Sequence, residues 1–176
     1  MPVRQIEPED DLALRAFLVS IPEQDARFLK EDLTDQEVVD TWLSAGRIVR
    51  LAHVSDDDDR IDAVASIAPG IGRSDHVAEL RLVVDADRRR RGIGRQLAQK
   101  ALVTAVRAGY RKITVEVGAA QQGTIDLFRG LGFTPEALLQ DQVRADNGTL
   151  FDIVVLAQLV DRTWEALTTI GEGEPA

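Results

Sequence analysis

The run Arg88-Arg89-Arg90-Arg91-Gly92-Ile93-Gly94 joins an apolar, strand-like stretch (Leu82, Val83, Val84) to an amphipathic, helix-like one (Leu97 to Val106). A strand, a turn with two glycines and a helix, in that order, form an anion-binding device. Glycine lets the backbone approach a ligand closely, and the first amides of a helix have no partner inside it. On its own an arginine run reads as a solvated face, or as a nucleic-acid patch. Its place at a strand-to-helix junction shifts the reading to a phosphate site. The chain carries a formal net charge of −9, so this basic cluster is a local exception. The Lys-Ser/Thr ending of a Walker loop is absent. Leu97 stands where a dinucleotide fingerprint needs its third glycine.

The rest of the chain reads as alternating strands and helices. Val3 to Ile6 is a first strand. Glu9, Asp10 and Asp11 suit the start of a helix, which runs to Ser20 with Leu12, Phe17 and Leu18 inward. Pro22 opens a short helix with Ala26, Phe28 and Leu29 on its apolar face. The capping box Thr34-Asp35-Gln36-Glu37 starts a third helix through Trp42 and Leu43, ended by Gly46. Ile48 to Val54 and Ile61 to Ile67 are strands around an exposed turn, Ser55 to Asp59. Its aspartates lack the glycine and distal glutamate of a calcium loop. Val77 to Val84 is a strand, Gly94 to Ala108 a helix, Ile113 to Val117 a strand, Gln121 to Leu131 a helix, and Phe151 to Leu156 the last strand. Asp161 to Ile170 predicts an extra helix with Trp164 and Leu167 on one face, and Gly171 to Ala176 a loose tail. This order is mixed α/β. With no internal repeat and no long linker, it predicts one domain over residues 1–160 and a C-terminal helix and tail over 161–176.

Arg89, Gly92 and Gly94 match the R/Q-x-x-G-x-G/A signature of the GNAT N-acetyltransferases. Downstream, Gln121 to Phe133 resembles that family's N-x-x-A-x-x-L-Y-x-x-x-G-F block. Two motifs in the right order are more specific than either alone, and the resemblance covers residues 3–158. It implies the GNAT fold, a mostly antiparallel sheet of about seven strands flanked by helices. It also implies acetyl-CoA as co-substrate. The pyrophosphate would rest on the loop Arg89, Arg90, Arg91, Gly92, Ile93 and Gly94, and the pantetheine along Leu82, Val83 and Val84. Arg95 is another phosphate candidate. Arg88 and Arg91 either reach the 3′-phosphate or are solvated. Arg90 replaces a frequent glycine and fits on a negative φ. Gln121 stands for the usual asparagine that bonds the pantetheine.

Acetyl transfer to an amine needs a base for the amine proton and a donor for the oxyanion. Glu79 is the candidate base. Ala78-Glu79-Leu80-Arg81-Leu82-Val83-Val84 resembles the A-E-x-x-x-V-V strand of the bacterial protein-lysine acetylating branch. The competing reading pairs Glu79 with Arg81, two residues on and on the same face. Asp85 is the fallback base. The family implies the backbone amides of Leu82 and Val84 as oxyanion donors. Phe128 occupies a position where many relatives have a tyrosine that protonates the thiolate. Phenylalanine has no proton to give, so its role is packing in the cofactor region. His53 and His76 read as structural or exposed, with a proton relay from His76 as the alternative.

Ile21 to Phe28 loosely resembles the S-P-E-S-x-x-x-R-F-F segment of the same branch, which points to protein lysine as acceptor. A small amine (a polyamine, amino acid or antibiotic) is the alternative substrate, and a non-catalytic acyl-CoA sensor the alternative function. The chain has no cysteine, which removes disulfides and a thiol nucleophile, and no His/Asp/Glu cluster has metal-ligand spacing. The acidic balance argues against a nucleic-acid partner. No apolar run spans a bilayer and Met1 to Arg4 opens no secretory signal, so no membrane partner and a cytoplasmic location are expected. Trp164 and the last helix dock either on the domain or on a second subunit, as in a homodimer.

Overall fold

A computed structural model describes residues 3–29, 31, 35–44, 46–56 and 60–160. The expected turn aspartates 57–59, the cap residue Thr34 and the C-terminal segment 161–176 with Trp164 and Leu167 lie outside the described residues. Seven strands form one sheet: β1 (Val3–Gln5), β2 (Val49–Val54), β3 (Ile61–Pro69), β4 (Val77–Val84), β5 (Lys112–Gly118), β6 (Thr134–Arg144) and β7 (Leu150–Leu159). Their order is β1-β2-β3-β4-β5-β7-β6. All neighbours are antiparallel except β4 and β5. The helices are α1 (Asp11–Ser20), α2 (Glu23–Ala26), α3 (Gln36–Leu43), α4 (Ile93–Arg107) and α5 (Gln122–Arg129).

Each face of the sheet carries its own core. On one face α4 lays down Leu97, Ala98, Ala101 and Ala105, at the spacing of a helical stripe, against Ala65, Ile67, Leu80 and Val115. The alanines bring α4 close to the sheet, and burial of the larger neighbours drives the packing. On the other face α1 and α3 cover Ala52, Ile61, Val64 and Val83 with Leu14, Phe17, Leu18, Val39 and Trp42. The apolar stripe of α1 is therefore Leu14, Phe17 and Leu18. Leu12, expected inward, is 83% exposed. Helix α3 begins at Gln36, where the Asp35 carboxylate accepts the Glu37 N–H at 2.9 Å. It stops at Leu43, before the expected Gly46, where Ser44 turns to extended geometry.

One strand was not legible. β6 is an edge strand, mostly exposed along its length. Pro135, Glu136 and a left-handed Asp141 (φ 50°) break any apolar alternation, and its register with β7 shifts twice. An exposed, bulged edge buries too little to leave a periodic signature. Among the described residues no helix is long and apolar enough to cross a membrane.

The entry to α1 is fixed by charge. Both Arg4 terminal nitrogens bond the Asp10 carboxylate, at 2.6 and 2.7 Å, and the Glu7 N–H adds a third bond at 2.8 Å. The Arg4 bond holds the Asp10 carboxyl below its usual value, against the opposing effect of burial. A depressed folded value means the stabilisation is present above the unfolded pKa of about 3.9 and is lost as pH falls through the folded value. Asp10→Asn is expected to lower stability by about 1 kcal/mol at neutral pH. Thermal melts should show that difference shrinking below about pH 4.

Candidate active site

The ladder between β4 and β5 is short. It pairs Val77 with Lys112, Ala78 with Ile113 and Glu79 with Thr114. Beyond these residues β4 stays paired with β3 as far as Val84, and β5 with β7 as far as Gly118. The two central strands thus diverge into a wedge. The Asp85 N–H bonds the Asp62 carbonyl at 2.9 Å, which sets the antiparallel phase: alternate residues of β4 turn their backbone groups to β3. The N–H and C=O groups of Leu80, Leu82 and Val84 therefore face the wedge. Such an edge accepts an extended chain as another strand would. Val83 turns its backbone to β3, and its side chain packs in the α1–α3 core.

The arginine turn closes the wide end of the wedge. Asp85 starts it, accepting the Asp87 N–H at 2.8 Å, so this carboxylate serves as a cap. Arg90 (φ 60°) and Gly92 (φ 81°) are both left-handed, and Gly92 is the N-cap of α4 with no side-chain bond to the helix. Left-handed residues in such a turn curl successive amides towards one point. The free helix amides of Ile93, Gly94 and Arg95 add to it. At Gly94 a Cβ would stand 3.3 Å from Val84 Cγ2, so this glycine sets how closely α4 meets β4.

The expected negative φ at Arg90 is corrected: its value is +60°. A left-handed non-glycine residue costs about 1–2 kcal/mol, part of which glycine would return through a freer unfolded chain. Arg90→Gly is expected to raise Tm by about 1–3 °C. A lower Tm would mean that the arginine side chain makes compensating contacts.

The four arginines divide. Arg88 turns inward, its Nε 3.4 Å from Asp62. Arg89 donates to the Val84 carbonyl at 3.2 Å and to Asp25 at 2.6 Å. Arg90 and Arg91 are exposed. Arg95 lies over the end of α5, where a methyl at Gly130 would sit 3.0 Å from its guanidinium. The Gln121 side-chain oxygen accepts the Gly118 N–H at 3.1 Å, fastening the tip of β5. Phe128 is buried in the core, edge-to-face on Phe133 at 5.3 Å.

Glu79 projects from β4 onto the face covered by α1–α3. Arg81 grips both of its oxygens, at 2.9 and 3.3 Å. The same guanidinium donates to the Leu29 carbonyl at 3.1 Å and lies 3.6 Å from Glu31. Glu31 in turn accepts the Trp42 indole N–H at 2.6 Å, and Arg50 stacks on Trp42 at 4.9 Å. Burial works against the Arg81 charge, but the Glu79 hydrogen bond and the fields of Glu79, Glu31 and Glu116 outweigh it, so its pKa rises. At Arg50, burial prevails and the pKa falls, with the like charge of Arg81 adding to it.

Glu116 belongs to this strip and was missed in the sequence. The alternation Ile113-Thr114-Val115-Glu116-Val117 carries the signal, because Ile113, Val115 and Val117 enter the α4 core. Glu116 therefore shares the face of Glu79, across the wedge. His53 is buried beside Asp62, 3.4 Å away, and His76 is exposed at the start of β4; neither joins the strip.

The profile of the acetyltransferase (GNAT) family matches residues 8–133. The chain belongs to this family, whose members are acyltransferases that use acetyl-CoA as co-substrate. It is 36% identical over 69 residues to an uncharacterized N-acetyltransferase of Methanocaldococcus jannaschii, a match spanning 39% of this chain and only 30% of that relative. Its fold is that of a GCN5-related N-acetyltransferase from Kribbella flavida (TM-score 0.75, 24% identity, covering 89% of this chain and 96% of that one). A ribosomal-protein-alanine N-acetyltransferase from Brucella melitensis is similarly close (TM-score 0.75, 21% identity, covering 90% and 99%). At these identities the likeness establishes the fold, a seven-stranded, mostly antiparallel GNAT sheet.

Proposed function

We propose that this chain transfers an acetyl group from acetyl-CoA to a primary amine by direct attack, with protein lysine as acceptor and Glu79 as general base. The observation that carries the reading is the wedge between β4 and β5 opening onto the uncapped start of α4. The residues fit the group. The edge of Leu82 and Val84 matches an amide-bearing arm. Arg91, Gly92, Ile93, Gly94 and Arg95 surround a point suited to a pyrophosphate. When bound, acetyl-CoA supplies the acyl thioester.

The chain's own residues do the rest. The Leu82 and Val84 N–H groups donate to the oxygen that gains charge. Glu79 takes the amine proton as the C–N bond forms, with Arg81 holding the carboxylate in orientation. The C–S bond breaks with coenzyme A leaving as a thiolate that takes its proton from water, since Phe128 has none to give. The face holds three carboxylates, Glu31, Glu79 and Glu116, around Arg81, which favours a protonated amine over a neutral one.

The test is coenzyme A release from acetyl-CoA with a lysine-rich protein mixture and, separately, with a panel of small amines. Release with the protein mixture is expected, falling about 30-fold or more in Glu79→Gln. Release confined to small amines would overturn the acceptor assignment. Full activity in the variant would overturn Glu79 as the base and move that role to another group or to water.

A further inference from the structure

The segment from Glu23 to Leu29 crosses the mouth of the wedge. On the β4 side it is held by Arg81, which bonds the Leu29 carbonyl at 3.1 Å, and by Arg89, which bonds Asp25 at 2.6 Å. On the β5–β7 side the Phe28 ring rests on Gly118, where a Cβ would meet its Cζ at 2.7 Å. Phe28 also meets Phe151 edge-on at 6.4 Å, and the Arg27 guanidinium lies 4.7 Å above the Phe151 ring. The segment is thus a strap, with a cation–carboxylate clasp at one end and an aromatic seat at the other.

The clasp is made by an unexpected residue. Arg89 stands at the first position of the R-x-x-G-x-G signature, three residues before the α4 N-cap. Its guanidinium sits at the end of the open β4 edge, bonded to the Val84 carbonyl at 3.2 Å. The amides that would receive a pyrophosphate follow directly in the chain. A diphosphate seated there comes within reach of this guanidinium with more charge than the single Asp25 carboxylate. Guanidinium binds phosphate and carboxylate through the same planar fork, so the two are direct rivals.

We propose that Asp25 and the cofactor's phosphates compete for the Arg89 guanidinium, so that cofactor binding unfastens the strap. This rests on the acetyl-CoA site proposed above. Asp25 is then a positioning residue. It touches neither substrate, and it sets both how tightly the cofactor binds and how far the acceptor side opens.

The sign of one change decides it. If Asp25 merely supported the turn, removing its charge would weaken cofactor binding. If it competes, removing its charge strengthens binding. Isothermal titration of acetyl-CoA into the full chain is expected to give an about fivefold lower Kd for Asp25→Asn than for the parent, the scale of a partly exposed ion pair. In an Arg89→Gln background the same substitution should change Kd by less than about twofold.

A second readout follows the strap itself. Trp42 is bonded to Glu31, which Arg81 joins to Leu29. With Trp164→Phe, Trp42 is the sole tryptophan. Acetyl-CoA should shift its emission in that variant. Adding Asp25→Asn should move the ligand-free emission towards the bound value. An unchanged or higher Kd in Asp25→Asn, with the parent still binding, overturns the competition alone. No binding by the parent overturns the acetyl-CoA site and the competition with it.

Discussion

Arg81→Met is expected to lower stability by about 3–5 kcal/mol and Tm by about 10 °C, and to abolish most of the activity. Methionine keeps much of the side-chain volume, so the loss is chiefly electrostatic. Arg81 donates to Glu79 and the Leu29 carbonyl and pairs with Glu31, in a strip that also holds Glu116. Its removal leaves three carboxylates on one partly buried face, with Arg50, which feels the Glu31 charge, left to offset one of them. That repulsion is screened by salt, so the deficit should be larger at low ionic strength than at high. Thermal melts at the two ionic strengths check this. Arg81→Lys keeps the charge but not the fork, and should fall between parent and Met. A Met variant that melts within 2 °C of the parent would show that the strip contributes little.

Gly94→Leu is expected to weaken acetyl-CoA binding by about 100-fold, equivalent to about 2.7 kcal/mol. A Cβ at this position already stands 3.3 Å from Val84 Cγ2, with Leu127 and Leu82 at 3.8 and 3.9 Å. Three further carbons have nowhere to go except between α4 and β4. The start of the helix must then move away from the strand, and its amides with it. Overpacking of this kind also costs about 1–3 kcal/mol of stability, so calorimetric titration should be run well below the variant's Tm. Gly123→Ala is the control. Nothing lies within 4 Å of its Cβ position, and it sits in the helix α5, so it should bind as the parent does. Parent-like affinity in Gly94→Leu would remove the turn from the cofactor site.

Much of this architecture could be read from the chain. β4 was delimited to the residue, because Val77 and Val84 bound an unbroken apolar-rich run between turn signals. The long helix after the arginine turn and the short one after Gln121 followed from their apolar spacing. β6 could not be read, since an exposed, bulged edge strand obeys no burial period. Leu12 lies off the stripe: at 3.6 residues per turn it stands about 140° round the helix from Phe17, whereas Leu14 stands about 60° from Phe17 and about 40° from Leu18, so helical spacing itself favours Leu14.

The site divides along the same line. The glycines of the turn and the placement of Glu79 on the strand before it are local facts, carried by residue type and spacing. The sequence also offered both readings of Glu79, base and partner of Arg81, and local geometry alone could not rank them. What Arg89 bonds, why Arg81 is surrounded by Glu31 and Glu79, and where Glu116 faces all depend on residues far apart in the chain. Asp25 and Arg89 are 64 positions apart, and Leu29 and Arg81 are 52. By itself the sequence determined the alternation of elements, the glycine-bearing turn between β4 and α4 and the family motifs, because these rest on periodicity and on the conformational freedom of glycine. Only the tertiary structure decided the divergence of β4 from β5, the strap across it and the partner of each charge, because long-range register and packing set them.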